Sequence, residues 1–213
     1  SPSKRTFLVV GDTGMDEIAR LIERDFSTDE NPGSDPVVNF PKQEFPEVRE
    51  TTIHLIDRPG SAQSVIRAGH LTISRMHKDY YAMAFLNYVL GGDYSGRLNM
   101  NLRQDKGYSY GFYSSIMWHR IQSPWLARGS VQSEFTKESV HEVLKELSDI
   151  KNSKPISKKE FDHAKEGLVK GIPSQFETNG QIMGQLINLS AFELPENYFK
   201  ESIEKLQFLE FED

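Results

Sequence analysis

Between residues 28 and 50, Pro32, Pro36, Pro41 and Pro46 fall among Asp, Glu, Asn and Gly, with only scattered apolar residues. Proline fixes φ and removes a backbone donor, so no helix interior or central strand runs through such a stretch. The segment reads as a linker with extended pieces. It sets residues 1–27 apart from a main unit, residues 51–213, that must supply the core. Fully extended, the 23 linker residues reach about 75 Å, at about 3.3 Å per residue.

Ahead of the linker, Phe7 to Val10 is a short apolar run closed by Gly11-Asp12, a strand and turn signal. Ile18, Leu21 and Ile22 recur at helical spacing, which predicts a helix from about Met15 to Phe26. In the main unit, Thr51 to Ile56 reads as a strand, Asp57-Arg58-Pro59-Gly60 as a turn and Ser64 to Thr72 as the returning strand. Tyr81 to Leu90 reads as a buried helix stopped by Gly91-Gly92. Ser95 is the expected N-cap of a helix carrying Leu98 and Leu102, ended by Gly107. Tyr108 to Trp118 and Trp125 to Gln132 read as strands. Thr136 is expected to cap a helix with Val140, Val143, Leu144 and Leu147 on one stripe. Ser157 opens the next helix, with Glu160 at capping-box spacing. Further helices are expected over Gln181 to Phe192 and Glu196 to Leu206. Strands come largely early and helices largely late, so the class is α+β, a mostly antiparallel sheet backed by helices.

Composition removes several functions. A chain that is 37% hydrophobic and 26% charged is ordinary for a soluble protein. A net charge of -6 argues against a general nucleic-acid binder. No apolar run is long enough to span a bilayer. With no cysteine there is no disulfide, thiol nucleophile or Cys-based metal site. The absence of cysteine fits a reducing or an oxidising compartment alike, so composition does not settle location.

Four motifs carry chemistry. His163-Ala-Lys-Glu166-Gly167 is the nearest approach to a thermolysin-like zinc helix, but glycine stands where the second histidine is required. Gly107-Tyr108-Ser109-Tyr110-Gly111 matches the G-x-S-x-G nucleophile elbow, with the order reversed: a helix precedes it and a strand follows. Gly91-Gly92-Asp93-Tyr94-Ser95-Gly96 is glycine-rich, yet Asp93 stands where a dinucleotide fingerprint needs glycine and no Gly-Lys-Ser/Thr follows. A joint between helices explains these glycines without a ligand. Arg103 falls in the last turn of its helix, and Tyr110 three residues past Gly107 on the next strand. Spacing alone favours structural roles for both: a cation at a helix C-terminus, and a core tyrosine on the period-two face of Tyr108, Phe112 and Ile116.

At these residues the sequence resembles the C-terminal, non-zinc domain of M16 peptidases, the family of pitrilysin, insulysin and mitochondrial processing peptidase, with the LuxS/MPP-like metallohydrolase type of fold. The family shows Leu-Arg followed, seven residues after the Arg, by a Tyr just beyond a Gly, and Leu102-Arg103, Gly107 and Tyr110 keep that interval. Gly91-Gly92, Ser95-Gly-Arg97-Leu98, Asp57-Arg58-Pro59-Gly60 through Gln63, and Pro155 to Glu160 are similar to further family stretches. The resemblance implies one of two like halves that enclose a chamber. The other half carries His-x-x-Glu-His and zinc, in the same full-length chain or on a partner subunit. Arg103 would bond the peptide substrate's carbonyls and Tyr110 would donate to the oxyanion. The chemistry suits those types: a phenol, with reference pKa near 10, stays protonated at neutral pH, and arginine holds a fixed fork of donors.

This chain lacks His-x-x-Glu-His, so it is expected neither to bind zinc tightly nor to cleave peptides alone. Residues 4–26 look like the terminal strand and helix of the preceding half. They are expected to fill the place of a final strand and helix after Asp213, within one molecule or swapped between two in a homodimer. The competing functions are a non-catalytic assembly or binding subunit of the same fold and, distantly, a serine hydrolase using Ser109.

Overall fold

The computed structural model describes residues 6–26 and 50–211; the expected linker, apart from residue 50, lies outside them. The strands are β1 (Gln63–Thr72), β2 (Ser109–Ile116) and β3 (Ser123–Gln132), in one antiparallel sheet ordered β1-β3-β2. The helices are α1 (Met15–Phe26), α2 (Tyr80–Asn87), α3 (Arg97–Asn99), α4 (Thr136–Asp149), α5 (Lys158–Gly171), α6 (Asn179–Phe192) and α7 (Tyr198–Phe208). Both α2 and α3 end in wider π turns, Tyr88–Gly92 and Met100–Asp105. The fold is α+β.

The core lies between one face of the sheet and the helices. Phe112, Trp125, Ala127 and Val131 project from the strands and meet Leu90, Leu98, Leu102 and Val143. This is the period-two alternation of a strand with one wet face. Asn87 satisfies the polar groups this burial strands: its Oδ1 accepts from Trp125 Nε1 at 3.0 Å and from Ser114 Oγ at 2.9 Å. A second cluster, Phe85, Val89, Phe161 and Ala164, joins α2 to α5. The Ser157/Glu160 capping box forms as expected. Thr178 and Gln181 make another at the start of α6. Arg75, buried, lies over the Tyr80 ring at 3.5 Å and donates to the Tyr198 hydroxyl, tying α7 to α2.

Two expected strands do not form. Thr51 to Ile56 pairs with nothing among the described residues, and Ile53, Leu55 and Ile56 are 72%, 86% and 89% exposed. The turn itself forms, with Ser61 N–H on the Arg58 carbonyl and Gly60 at φ 79°. Beyond it, Ser61 and Ala62 are bonded to Ser133 at the end of β3, and the chain before the turn does not return along β1. Thr6 to Val10 likewise pairs with no strand, so the expected completion of the sheet by this segment within one molecule is not what the fold does. Helix α1 does form, with no buried residue. Its apolar side and Phe7 line a shallow hollow shared with Leu186 of α6.

Two caps also differ. Gly96, not Ser95, precedes α3, and Ser95 is held instead by Asp93 and His163. Thr136 is the first residue of α4 rather than its cap, because a 3₁₀ turn, Ser133–Phe135, leads into the helix. The buried stripe of α4 is Ser139, Val143 and Glu146, and Leu144 is 42% exposed.

Candidate functional site

Arg103 comes to the surface through a change of helical pitch. After Arg97–Asn99 the helix widens into the π turn Met100–Asp105, a form that recurs at functional sites. Leu98 and Leu102, both fully buried, fasten the turn to the core. Arg103, the next residue, is left half-buried at the rim. Gly107 ends the turn at φ 68°, the left-handed conformation glycine accepts without a steric cost, and hands the chain to β2.

Tyr110 is exposed because β2 bulges. Ser109 pairs with Val131 and Phe112 with Gly129, so Tyr110 and Gly111 together stand against Ser130. The Ser109 hydroxyl holds the bulge. It lies 2.7 Å from the Ser130 carbonyl and 2.8 Å from the Gly111 carbonyl, and it accepts from the Gly111 N–H at 3.1 Å. The extra residue takes Tyr110 off the face of Phe112. Phe112 is fully buried and Tyr110 is 86% exposed, so the core role that uninterrupted alternation suggests is excluded. Ser109 is itself 8% exposed with its hydroxyl engaged, and helix still precedes strand here, so no nucleophile elbow exists.

The two predicted residues meet. The Arg103 guanidinium carbon lies 4.7 Å from the centroid of the Tyr110 ring and 5.0 Å from that of Tyr94. A cation between two phenol rings gains about 0.5–1 kcal/mol per ring at exposed sites. The same two contacts tie the guanidinium to the Tyr94 loop and to the strand that carries Tyr110. Among the described residues Arg103 has no carboxylate partner.

Three residues that sequence reasoning missed hold this slot. Tyr94 supplies the second wall, and Gln104 Nε2 donates to its hydroxyl at 2.6 Å. Asn99, fully buried, donates from Nδ2 to the Tyr94 carbonyl at 2.7 Å, while its Oδ1 accepts the Phe112 N–H at 3.2 Å. One side chain thus ties the Tyr94 loop to the strand that carries Tyr110. The loop is braced further by Asp93, which accepts from the Ser95 N–H at 2.9 Å and the Ser95 hydroxyl at 2.6 Å. Burial alone raises the Asp93 carboxyl, but hydrogen bonds from Ser95, Tyr88 and the Tyr94 backbone bring it below the usual carboxylate range. The glycines of the same loop are there for contact: a Cβ at Gly91 would lie 2.8 Å from the Ser114 nitrogen, and one at Gly96 2.7 Å from the Gly91 Cα.

Zinc does not fit the residues described. One turn after His163 stands Gly167, where a Cβ would lie 2.1 Å from the Tyr88 hydroxyl oxygen, so packing leaves no room for a second ligand. Glu166 is paired with Lys170. Among the described residues no group of three His, Asp or Glu side chains is gathered as a metal ion requires. No described helix is long and apolar enough to cross a membrane.

A family model described as the peptidase M16 inactive domain matches residues 1–168. None of the curated proteins matches. Among solved structures, the M16 inactive domain from Pseudomonas fluorescens superposes with a TM-score of 0.63 at 27% identity, over 71% of this chain and 36% of that one. A protease from Helicobacter pylori gives 0.79 at 18% identity, over 94% of this chain and 48% of its own. The periplasmic protease PqqL from Escherichia coli gives 0.66 at 16% identity, over 95% and 22%. The chain therefore spans less than half the length of these three relatives. With a match over most of its length and the same fold in each of these neighbours, the chain belongs to the M16 peptidase family, in the domain the family description calls inactive.

Proposed function

We propose that this chain is the substrate-binding, transition-state-stabilising half of a zinc-dependent endopeptidase or oligopeptidase, working against a zinc-bearing M16 half in the same full-length chain or on a partner subunit. One observation supports it above the others: a half-buried guanidinium lying against the rings of Tyr94 and Tyr110, with no carboxylate partner among the described residues. A structural arginine at a helix end would be expected to find a carbonyl or carboxylate within the fold. Among the described residues the Arg103 donors have no such partner, which leaves them to a ligand.

In this reading the Arg103 fork donates to backbone carbonyls of the peptide and fixes its register. The Tyr110 hydroxyl donates to the oxygen of the scissile carbonyl as it takes on negative charge, an interaction stronger in the transition state than in the ground state. The description of the domain as inactive also suits a second reading, a non-catalytic assembly or binding subunit. Reconstitution separates the two. The purified chain alone should show no peptidase activity, and adding its zinc-bearing half should produce chelator-sensitive cleavage that is lost when the added chain carries Arg103→Ala. Cleavage by the zinc-bearing half that is indifferent to this chain, or to Arg103→Ala, would leave only the assembly role.

A further inference from the structure

The face of the sheet turned away from the helices carries an unusual pair. No Asp or Glu occurs in β1, β2 or β3, and the only Lys or Arg residues in them are Arg67 and Arg128. The register sets these two directly opposite each other. Both are exposed, and neither has an ion pair among the described residues. Like charges facing each other across a ladder destabilise a sheet. The chain carries 31 acidic residues against 25 basic ones, yet none in these strands offsets the pair. Arg128 also faces Tyr113 of β2, so Arg67, Arg128 and Tyr113 form one row across all three strands. Exposed Val65, 67% accessible, lies on the outer strand β1 two residues from Arg67.

The row stands close to the slot. Tyr113 follows Tyr110 by three residues, about 10 Å along an extended strand. Its ring leans back over Gly111, where a Cβ would lie 2.7 Å from a Tyr113 ring carbon. A peptide held by Arg103 and Tyr110 therefore brings a side chain some three residues away over the arginines. Two guanidinium forks that lack a partner match one carboxylate, which they bind bidentately.

We infer that Arg67 and Arg128 form a subsite for an Asp or Glu side chain of the peptide, a preference that rests on the function proposed above and names its substrate class. An acidic peptide relieves the repulsion between the arginines as it binds. A polyanion such as nucleic acid would instead meet the repulsion of a chain with net charge -6.

The test is binding to the assembled peptidase with its zinc removed, so that cleavage is not needed. Fluorescence anisotropy would compare peptides that differ only by Glu against Gln, with the acidic position moved stepwise along the sequence. At one position the Glu peptide should bind at least ten-fold tighter at low salt. Arg67→Thr and Arg128→Thr should each bring that ratio to within two-fold, leave the affinity for the Gln peptide unchanged, and leave the melting midpoint unchanged or raised. Arg128→Glu should shift the preference to a Lys peptide. Equal binding of Glu and Gln peptides at every position, or a preference that survives both Thr variants, overturns the subsite. So does a gain in binding of both peptides alike when Asp29, Glu30, Asp35, Glu44 and Glu47 are amidated by mutation, which would assign the arginines to the chain's own acidic segment. An assembly that discriminates Glu from Gln but never cleaves with zinc restored would contradict the proposed function and not this subsite.

Discussion

Asn99 shows how the site depends on single side chains outside the reacting pair. It fills both of its hydrogen-bonding roles with backbone groups, the Tyr94 carbonyl and the Phe112 N–H, while fully buried. Asn99→Ala leaves both unpartnered, and orphaning a buried polar group costs about 1–3 kcal/mol. The urea midpoint of the chain should fall accordingly, and the Tyr94 wall should loosen with it. Tyr110→Phe should instead change stability by less than about 0.5 kcal/mol in the same assay, because the residue is 86% exposed and its hydroxyl has no hydrogen-bond partner among the described residues. The pairing of Arg103 with Tyr110 was legible through the family resemblance. Spacing alone put Tyr110 in the core, because period two assumes an unbroken ladder. The signal that would have corrected it is Gly111, since glycine inside a strand often marks a bulge. Asn99 and Tyr94 left no such trace: their roles arise from contacts between a loop, a helix and a strand.

Elements were legible where local chemistry decides them and not where a distant partner does. The strands β1, β2 and β3, and the Ser157 cap, follow from alternation and capping boxes. Thr51 to Ile56 has the composition of a strand, but a strand exists only when a ladder receives it. The widening of α3 into a π turn, which sets where Arg103 emerges, has no marker in propensity. Arg97 is the tie between that helix and α5: its Nε lies 2.6 Å from Glu160 Oε1, and its other nitrogens donate to the carbonyls of Lys154 and Pro155. The Arg97 guanidinium, then the Ser157 backbone and hydroxyl, hold the Glu160 carboxyl at about 2 despite the opposing effect of burial. A depressed carboxylate pKa stabilises the fold above the ordinary carboxylate pKa, and that contribution is lost as pH falls from about 4.5 through about 2. Allowing for solvent screening of a partly exposed carboxylate, the loss should be on the order of 1–2 kcal/mol. Melting midpoints measured across that window should drop for the native chain and flatten for Glu160→Gln. Gly129→Ala probes the bulge, because its Cβ would lie 2.4 Å from the Phe112 ring and 2.8 Å from the Gly111 carbonyl. Such overpacking costs about 1–3 kcal/mol, readable as a lower urea midpoint.

At the scale of the molecule, the core is complete on one side of the sheet and bare on the other. The helices cover Phe112, Trp125 and Val131, while the opposite face, the slot beside it and helix α1 stay open to solvent. In the function proposed above, the slot gains its chemistry from a zinc-bearing half placed across it. The measurement that bears most directly on the proposal is steady-state kinetics of the assembled zinc peptidase carrying Tyr110→Phe. Losing one oxyanion donor should lower kcat on the order of 10²–10³-fold, with KM within a few-fold and zinc content unchanged. A kcat within three-fold of the native enzyme would show that the Tyr110 hydroxyl takes no part in the reaction.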